Sequence, residues 1–276
     1  MLRLSDILRY EVKNMILITG ARGFVGTRLM KDLKDTMAAP SLRGMSEDDV
    51  KRMVEESGAD TIIHTAAISD IPTCEQHPED SYTANVLLPV YLAKTAAGRK
   101  LVCFSSDQVY SGCDDAGPYT EDIVKPANTY ARHKLEMEQR VLELCPDAVL
   151  LRAEWMYDMV SPRGNYFKNI LAAEDGASFS SLQYRGITYL REVAENMPAV
   201  CRLPGGAYNF GSETDRNMYD ITCDFVRLIG KKLTVTDSRR QSHNLWMDCK
   251  KAASGGVVFS SVDAALKRCA EDYGII

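Results

Sequence analysis

Short apolar runs alternate with segments of helical spacing through the first half of the chain. Met15-Ile-Leu-Ile-Thr19, closed by Gly20, has the length and apolar continuity of a strand buried on both faces. Gly26 to Leu33 then takes helical spacing, with Leu29, Met30 and Leu33 on one side. The alternation continues with a helix around Glu47 to Glu56, a strand over Asp60 to Ala67, a helix over Leu87 to Ala97 and a strand over Lys100 to Ser105. A helix over Tyr130 to Leu144 stops before Pro146, and Asp147 to Arg152 reads as the next strand. Strands alternating with helices predict a doubly wound parallel α/β sheet of the Rossmann type, with functional loops at the carboxyl ends of the strands. Gly20, Ala67 to Asp70, Ser105 to Asp107 and Ala153 to Tyr157 all follow strands and are expected on one rim.

After Asp158 the pattern loosens. Asn165 to Ala173, Met218 to Ile229 and Val262 to Asp272 read as helices, and Leu233 to Thr236 as extended. The expected organisation is a dinucleotide-binding domain over 15–158, then a smaller substrate-binding cap over 159–276 interleaved with the last sheet elements. Residues 1–14 read as an N-terminal extension: a short amphipathic helix packed outside the fold, or the product of a start codon called too early, with Met15 as the true initiator.

A net charge of -5 gives no electrostatic case for nucleic acid or an anionic membrane, and no apolar run reaches the ~18 residues of a membrane helix. The 8 cysteines lack C-x-x-C spacing, which predicts buried free thiols and a cytoplasmic setting. His77 and His243 lack ligand-spaced partners, so no protein-bound metal is expected. His64 ends an apolar strand and is expected to be packed there; His133 is expected to face solvent.

The chemistry concentrates in three places. Gly20, Gly23 and Gly26 give G-x-x-G-x-x-G spacing between a strand and a helix, with Arg22, Phe24 and Val25 between them. Such a turn brings backbone N–H groups to a pyrophosphate at a helix start. The acid that would hold a ribose 2′-hydroxyl is missing from Met37-Ala-Ala-Pro-Ser41, while Arg22 and Arg43 could meet a 2′-phosphate. This favours NADP(H), with NAD(H) as the second option. Tyr130 and Lys134 share a helix face, where an ammonium is expected to lower the phenol's pKa. Ser106, with Ser105 as competitor, could orient a substrate carbonyl toward that phenol. Arg239 and Arg240 could grip a diphosphate.

These segments, with His64-Thr-Ala-Ala67 and Leu151-Arg-Ala-Glu-Trp-Met-Tyr157, resemble an extended short-chain dehydrogenase/reductase, and within that group the dTDP-4-dehydrorhamnose reductase family. The resemblance covers about residues 15 to 270. It implies a catalytic triad of Ser106, Tyr130 and Lys134, cofactor contacts at Ala66, Ala67 and Lys134, and substrate-side roles for Asp107 and Asn85. Glu154 departs from the family pattern, placing a carboxylate where a small hydroxyl residue is common, and is expected at the substrate rim. The implied partner is a nucleotide sugar, with room for a homodimer. The implied activity is NADPH-dependent reduction of a nucleotide-linked 4-keto sugar. An epimerase or dehydratase shares the triad, although Gln108 stands where a dehydratase commonly adds Glu. Members of the family can also serve as non-catalytic nucleotide-binding regulatory subunits.

Overall fold

The computed structural model describes residues 15–160, 164–240 and 244–276. The expectations for residues 1–14 and His243 lie outside these. Six parallel strands form the central sheet: β1 (Ile16–Thr19), β2 (Thr36–Ala38), β3 (Thr61–His64), β4 (Lys100–Ser106), β5 (Val149–Ala153) and β9 (Gly206–Phe210), in the order β2-β1-β3-β4-β5-β9. β1 lies between β2 and β3, so the strand order reverses beside it. A crevice opens at such a point, at the carboxyl ends of the strands.

Both faces are covered, which is why β3 and β4 read as unbroken apolar runs. One face packs Ile18, Ile63, Val102, Phe104 and Leu151 against the helices Phe24–Asp32 and Leu190–Val200. The other packs Leu17, Ile62, Leu101, Cys103 and Leu150 against Glu47–Ser57, Leu88–Thr95 and Thr129–Leu144. The cap has a separate aromatic core around Tyr157, Tyr166, Phe167, Tyr189 and Phe225, with Leu266 and Cys269 of the helix Val262–Asp272. Two small parallel pairs frame it: β6 (Trp155–Tyr157) with β8 (Ile187–Tyr189), and β7 (Ala177–Phe179) with β10 (Val235–Asp237). A buried ion pair ties cap to sheet. Arg28 Nη1 lies 3.0 Å from Asp158 Oδ2, and Tyr273 donates to Asp158 Oδ1 at 2.6 Å.

Several boundaries differ from the sequence expectation. β3 ends at His64 because Thr65 turns its hydroxyl onto the Thr19 carbonyl, 2.7 Å away. The helix expected from Leu87 begins as a π turn over Thr83–Leu87 and continues as Leu88–Thr95. Leu190–Val200 carries Pro198 inside its last turn and β9 opens at Gly206, two breakers that hid both elements from the periodicity.

Candidate active site

The glycine turn lies at the strand-order reversal. Gly20 has φ +71°, and a Cβ there would come within 2.7 Å of the Ala66 nitrogen just beyond β3. A Cβ on Gly26 would strike the Gly20 carbonyl oxygen. These absences let the chain after β1 lie flat against the chain after β3. Gly23 then starts the helix Phe24–Asp32 without a side-chain cap, and no acid stands in its first turn. Ser46, Asp70, Asn128 and Asn217 each cap the helix they begin. A helix start with free N–H groups and no competing carboxylate suits an anion. The turn therefore fits a dinucleotide pyrophosphate, with Phe24 and Val25 half-buried behind it and Ala66 and Ala67 across from it. Arg22 and Arg43 are both exposed, Arg43 lying beyond the short β2.

Asn85 is fully buried and works on the backbone. Its Nδ2 donates to the Ile68 carbonyl at 2.9 Å, and its Oδ1 accepts from the Ile68 N–H at 3.1 Å. It holds the loop that carries Ala66 and Ala67. Ser81 links Asn85 to His133, which is half-buried rather than solvent-facing because its Nδ1 meets the Ser81 hydroxyl at 2.9 Å. His64 is packed as expected, with Nδ1 2.7 Å from the Thr19 hydroxyl. Burial pushes its pKa down to about 3.

The helix Thr129–Leu144 presents Tyr130 and Lys134 to the end of β4. Asn128 caps its start, and Glu75 adds a second clasp by accepting from the Thr129 N–H at 2.6 Å and the Thr129 hydroxyl at 2.8 Å. Lys134 donates to the Phe104 carbonyl at 2.8 Å, and its ammonium lies 5.8 Å from the centre of the Tyr130 ring. Ser105 and Ser106 are separated by what they touch. Ser105 donates to buried Glu138 at 2.5 Å, inside a network with Arg152 and Tyr110, so it is committed to the core. Ser106 donates to Asp107 at 3.1 Å and lies beside the Tyr130 phenol.

Electrostatics differs from the sequence expectation at the phenol. Burial raises the Tyr130 pKa, and the Ser106 hydrogen bond opposes that rise. Burial pushes Lys134 down to about 8. With its ammonium turned to the Phe104 carbonyl, Lys134 does not bring the phenol below its ordinary value; desolvation wins.

Glu154 is buried under the cap. Thr188 donates to its Oε1 at 2.6 Å, and Gly186 and Gly211 wall it so closely that a Cβ on either would collide with the carboxyl. Burial raises its pKa to about 8. Arg239 and Arg240 are exposed in a loop after β10, whose backbone meets the Ser180 hydroxyl through the Arg240 carbonyl at 2.9 Å. No local pattern along the chain marks Arg185. It reaches from the cap to Asp107, with Nη2 2.8 Å from Oδ2, and its partner lies too far away in the chain for any local spacing to mark it.

A glycine turn at the reversal of a parallel sheet, with Tyr, Lys and Ser gathered on the same rim at the end of β4, two strands away, defines a nucleotide-binding fold of the short-chain dehydrogenase/reductase class. Residues 14–269 match the RmlD substrate binding domain family, and the chain belongs to it. A dTDP-4-dehydrorhamnose reductase from Mycolicibacterium smegmatis is 36% identical over 152 residues, 51% of this chain and 46% of that protein. A methionine adenosyltransferase 2 subunit beta from Danio rerio is 27% identical over 243 residues, 78% of this chain and 73% of that protein. The crystal structure of dTDP-4-dehydrorhamnose reductase from Bacillus anthracis in complex with NADP superposes with a TM-score of 0.82 at 20% identity, covering 94% of this chain and 99% of that one.

Proposed function

We propose that this protein reduces a nucleotide-linked 4-keto sugar, with Tyr130 as proton donor and NADP(H) as the preferred dinucleotide. The observation that carries the reading is the convergence of Ser106, Tyr130 and Lys134 at the end of β4, on the rim that also carries the glycine turn. A bound nicotinamide dinucleotide supplies the hydride. The Ser106 hydroxyl orients the carbonyl oxygen, and Tyr130 gives that oxygen its proton. Lys134, 5.8 Å from the ring centre, would keep positive charge near the phenolate that remains and would help hold the nicotinamide ribose. Arg22 and Arg43 favour a 2′-phosphate.

The likeness to methionine adenosyltransferase 2 beta subunits, and the deep burial of the triad, favour a second reading as a nucleotide-binding regulatory subunit. Turnover by the purified chain separates the two. NADPH oxidation driven by dTDP-4-dehydrorhamnose or another 4-keto sugar nucleotide supports the enzyme. Tyr130→Phe should then cut kcat by about 10²-fold or more while leaving NADPH affinity intact. Turnover unchanged in Tyr130→Phe removes the catalytic assignment.

A further inference from the structure

Arg185 stands on the cap segment that leads into β8, where the Tyr184 carbonyl accepts from the Leu245 N–H at 3.1 Å. Its guanidinium lies over Trp155, 5.5 Å from the ring centre, and pairs with Asp107 at 2.8 Å. Both partners are largely buried, at 14% and 5% side-chain exposure. The other Asp107 oxygen accepts from the Ser106 hydroxyl. One carboxylate is thus shared between a cation from the cap and the hydroxyl that the proposed mechanism assigns to the substrate carbonyl.

A hydroxyl carries one proton, so Ser106 cannot donate to Asp107 and to a carbonyl at once. How readily the proton leaves Asp107 depends on how much of that carboxylate's charge is already neutralised. The Asp107 charge also disfavours ionisation of Tyr130. Arg185 opposes both effects. Among the described residues its Nε is buried with no acceptor, so this arginine is placed for the contact with Asp107 at the expense of its own hydrogen bonding. Glu154 faces the same cluster, where Arg185 favours its charged form and Asp107 disfavours it.

We propose that Arg185 is a positioning residue: by pairing with Asp107 it frees the Ser106 proton for the substrate carbonyl, so the triad is competent only while the cap segment is docked. The proposal rests on the reductase reading. It is tested with Arg185→Gln, Arg185→Lys, Asp107→Asn and the Arg185→Gln/Asp107→Asn double variant, using dTDP-4-dehydrorhamnose and NADPH. Arg185→Gln should lower kcat about tenfold or more with NADPH affinity unchanged, and Arg185→Lys should recover most of the loss. The double variant should be no slower than Asp107→Asn alone, since no carboxylate is left to neutralise.

The pH profile separates this role from a structural one. Lys134 from its own helix, Asp107 from the end of β4 and Cys74 from the helix Ile71–Gln76 face Tyr130. Arg185→Gln takes this cation away from Asp107, so the phenol keeps its proton longer and the alkaline limb of reduction moves to higher pH. Hydrogen exchange reads the contact without substrate: Arg185→Gln, Asp107→Asn and the double variant should lose equal protection in both 107–111 and 184–188. Wild-type kcat and pH limb in Arg185→Gln, or exchange confined to 184–188, overturns the proposal. If the wild-type protein reduces none of the 4-keto sugars offered, the reductase reading falls, and the exchange cycle alone decides whether the contact exists as described.

Discussion

Replacing Glu154 by glutamine isolates a single proton. Burial raises this carboxyl from an ordinary 4.5 to about 8, so the folded protein holds a proton that the unfolded chain releases across that window. The stability that this proton contributes is complete below about 4.5 and is lost as pH rises through about 8. Glu154→Gln keeps the shape without titrating. Its stability relative to wild type should therefore climb between those values, as followed by urea unfolding at a series of pH; a flat difference contradicts the assignment. Arg22 carries a second prediction at this scale. It is exposed beside the glycine turn and no acid stands in Met37 to Ser41, so NADPH should bind more tightly than NADH. Arg22→Ala should narrow the gap by about tenfold, the scale of one lost charge-assisted phosphate contact. Titration by tryptophan fluorescence checks it, and equal binding of the two cofactors by the wild-type protein argues against it.

At the scale of elements, the glycine turn is the least forgiving piece. The added methyl of Gly26→Ala would meet the Gly20 carbonyl oxygen, and backbone, unlike a flexible side-chain tip, cannot step aside. Binding of NADPH should fall by at least about tenfold and the melting temperature should drop; a variant that binds and melts like wild type would mean the turn is looser than described. This turn, the helix Thr129–Leu144 and the strands β1, β3, β4 and β5 were legible because each is specified locally, by apolar continuity, helical spacing or glycine placement; the short, largely exposed β2 was not. The segments that carry the candidate site were legible for the same reason. What escaped was specified at a distance. Leu190–Val200 and β9 owe their formation to the sheet face and edge they cover, which outweigh Pro198 and Gly206. Arg185 has meaning only through Asp107, and the burial of Glu154 only through Gly186 and Gly211.

For the whole molecule, the contact of Arg28 with Asp158 and Tyr273 is a buried charged tie between the first helix and the end of the chain. Asp158 is fully buried and Arg28 nearly so, with Asp32 as a second acid on the guanidinium at 2.5 Å. Asp158→Ala would leave that guanidinium only partly compensated and should cost about 3 kcal/mol, read as a shift in denaturation midpoint without loss of secondary structure. A change below about 0.5 kcal/mol would mean the tie is ornamental. The same contact bears on how the protein is made. The first helix of the nucleotide half, Phe24–Asp32, is covered by Leu190–Val200 and locked by Tyr273, so residues translated early wait for residues translated late. Until Leu190–Val200 has cleared the ribosome, a nascent chain carries an apolar sheet face that only Phe24–Asp32 covers. Its burden on chaperones should therefore peak late in synthesis, and truncated translation products should be cleared rather than persist as a working nucleotide-binding half.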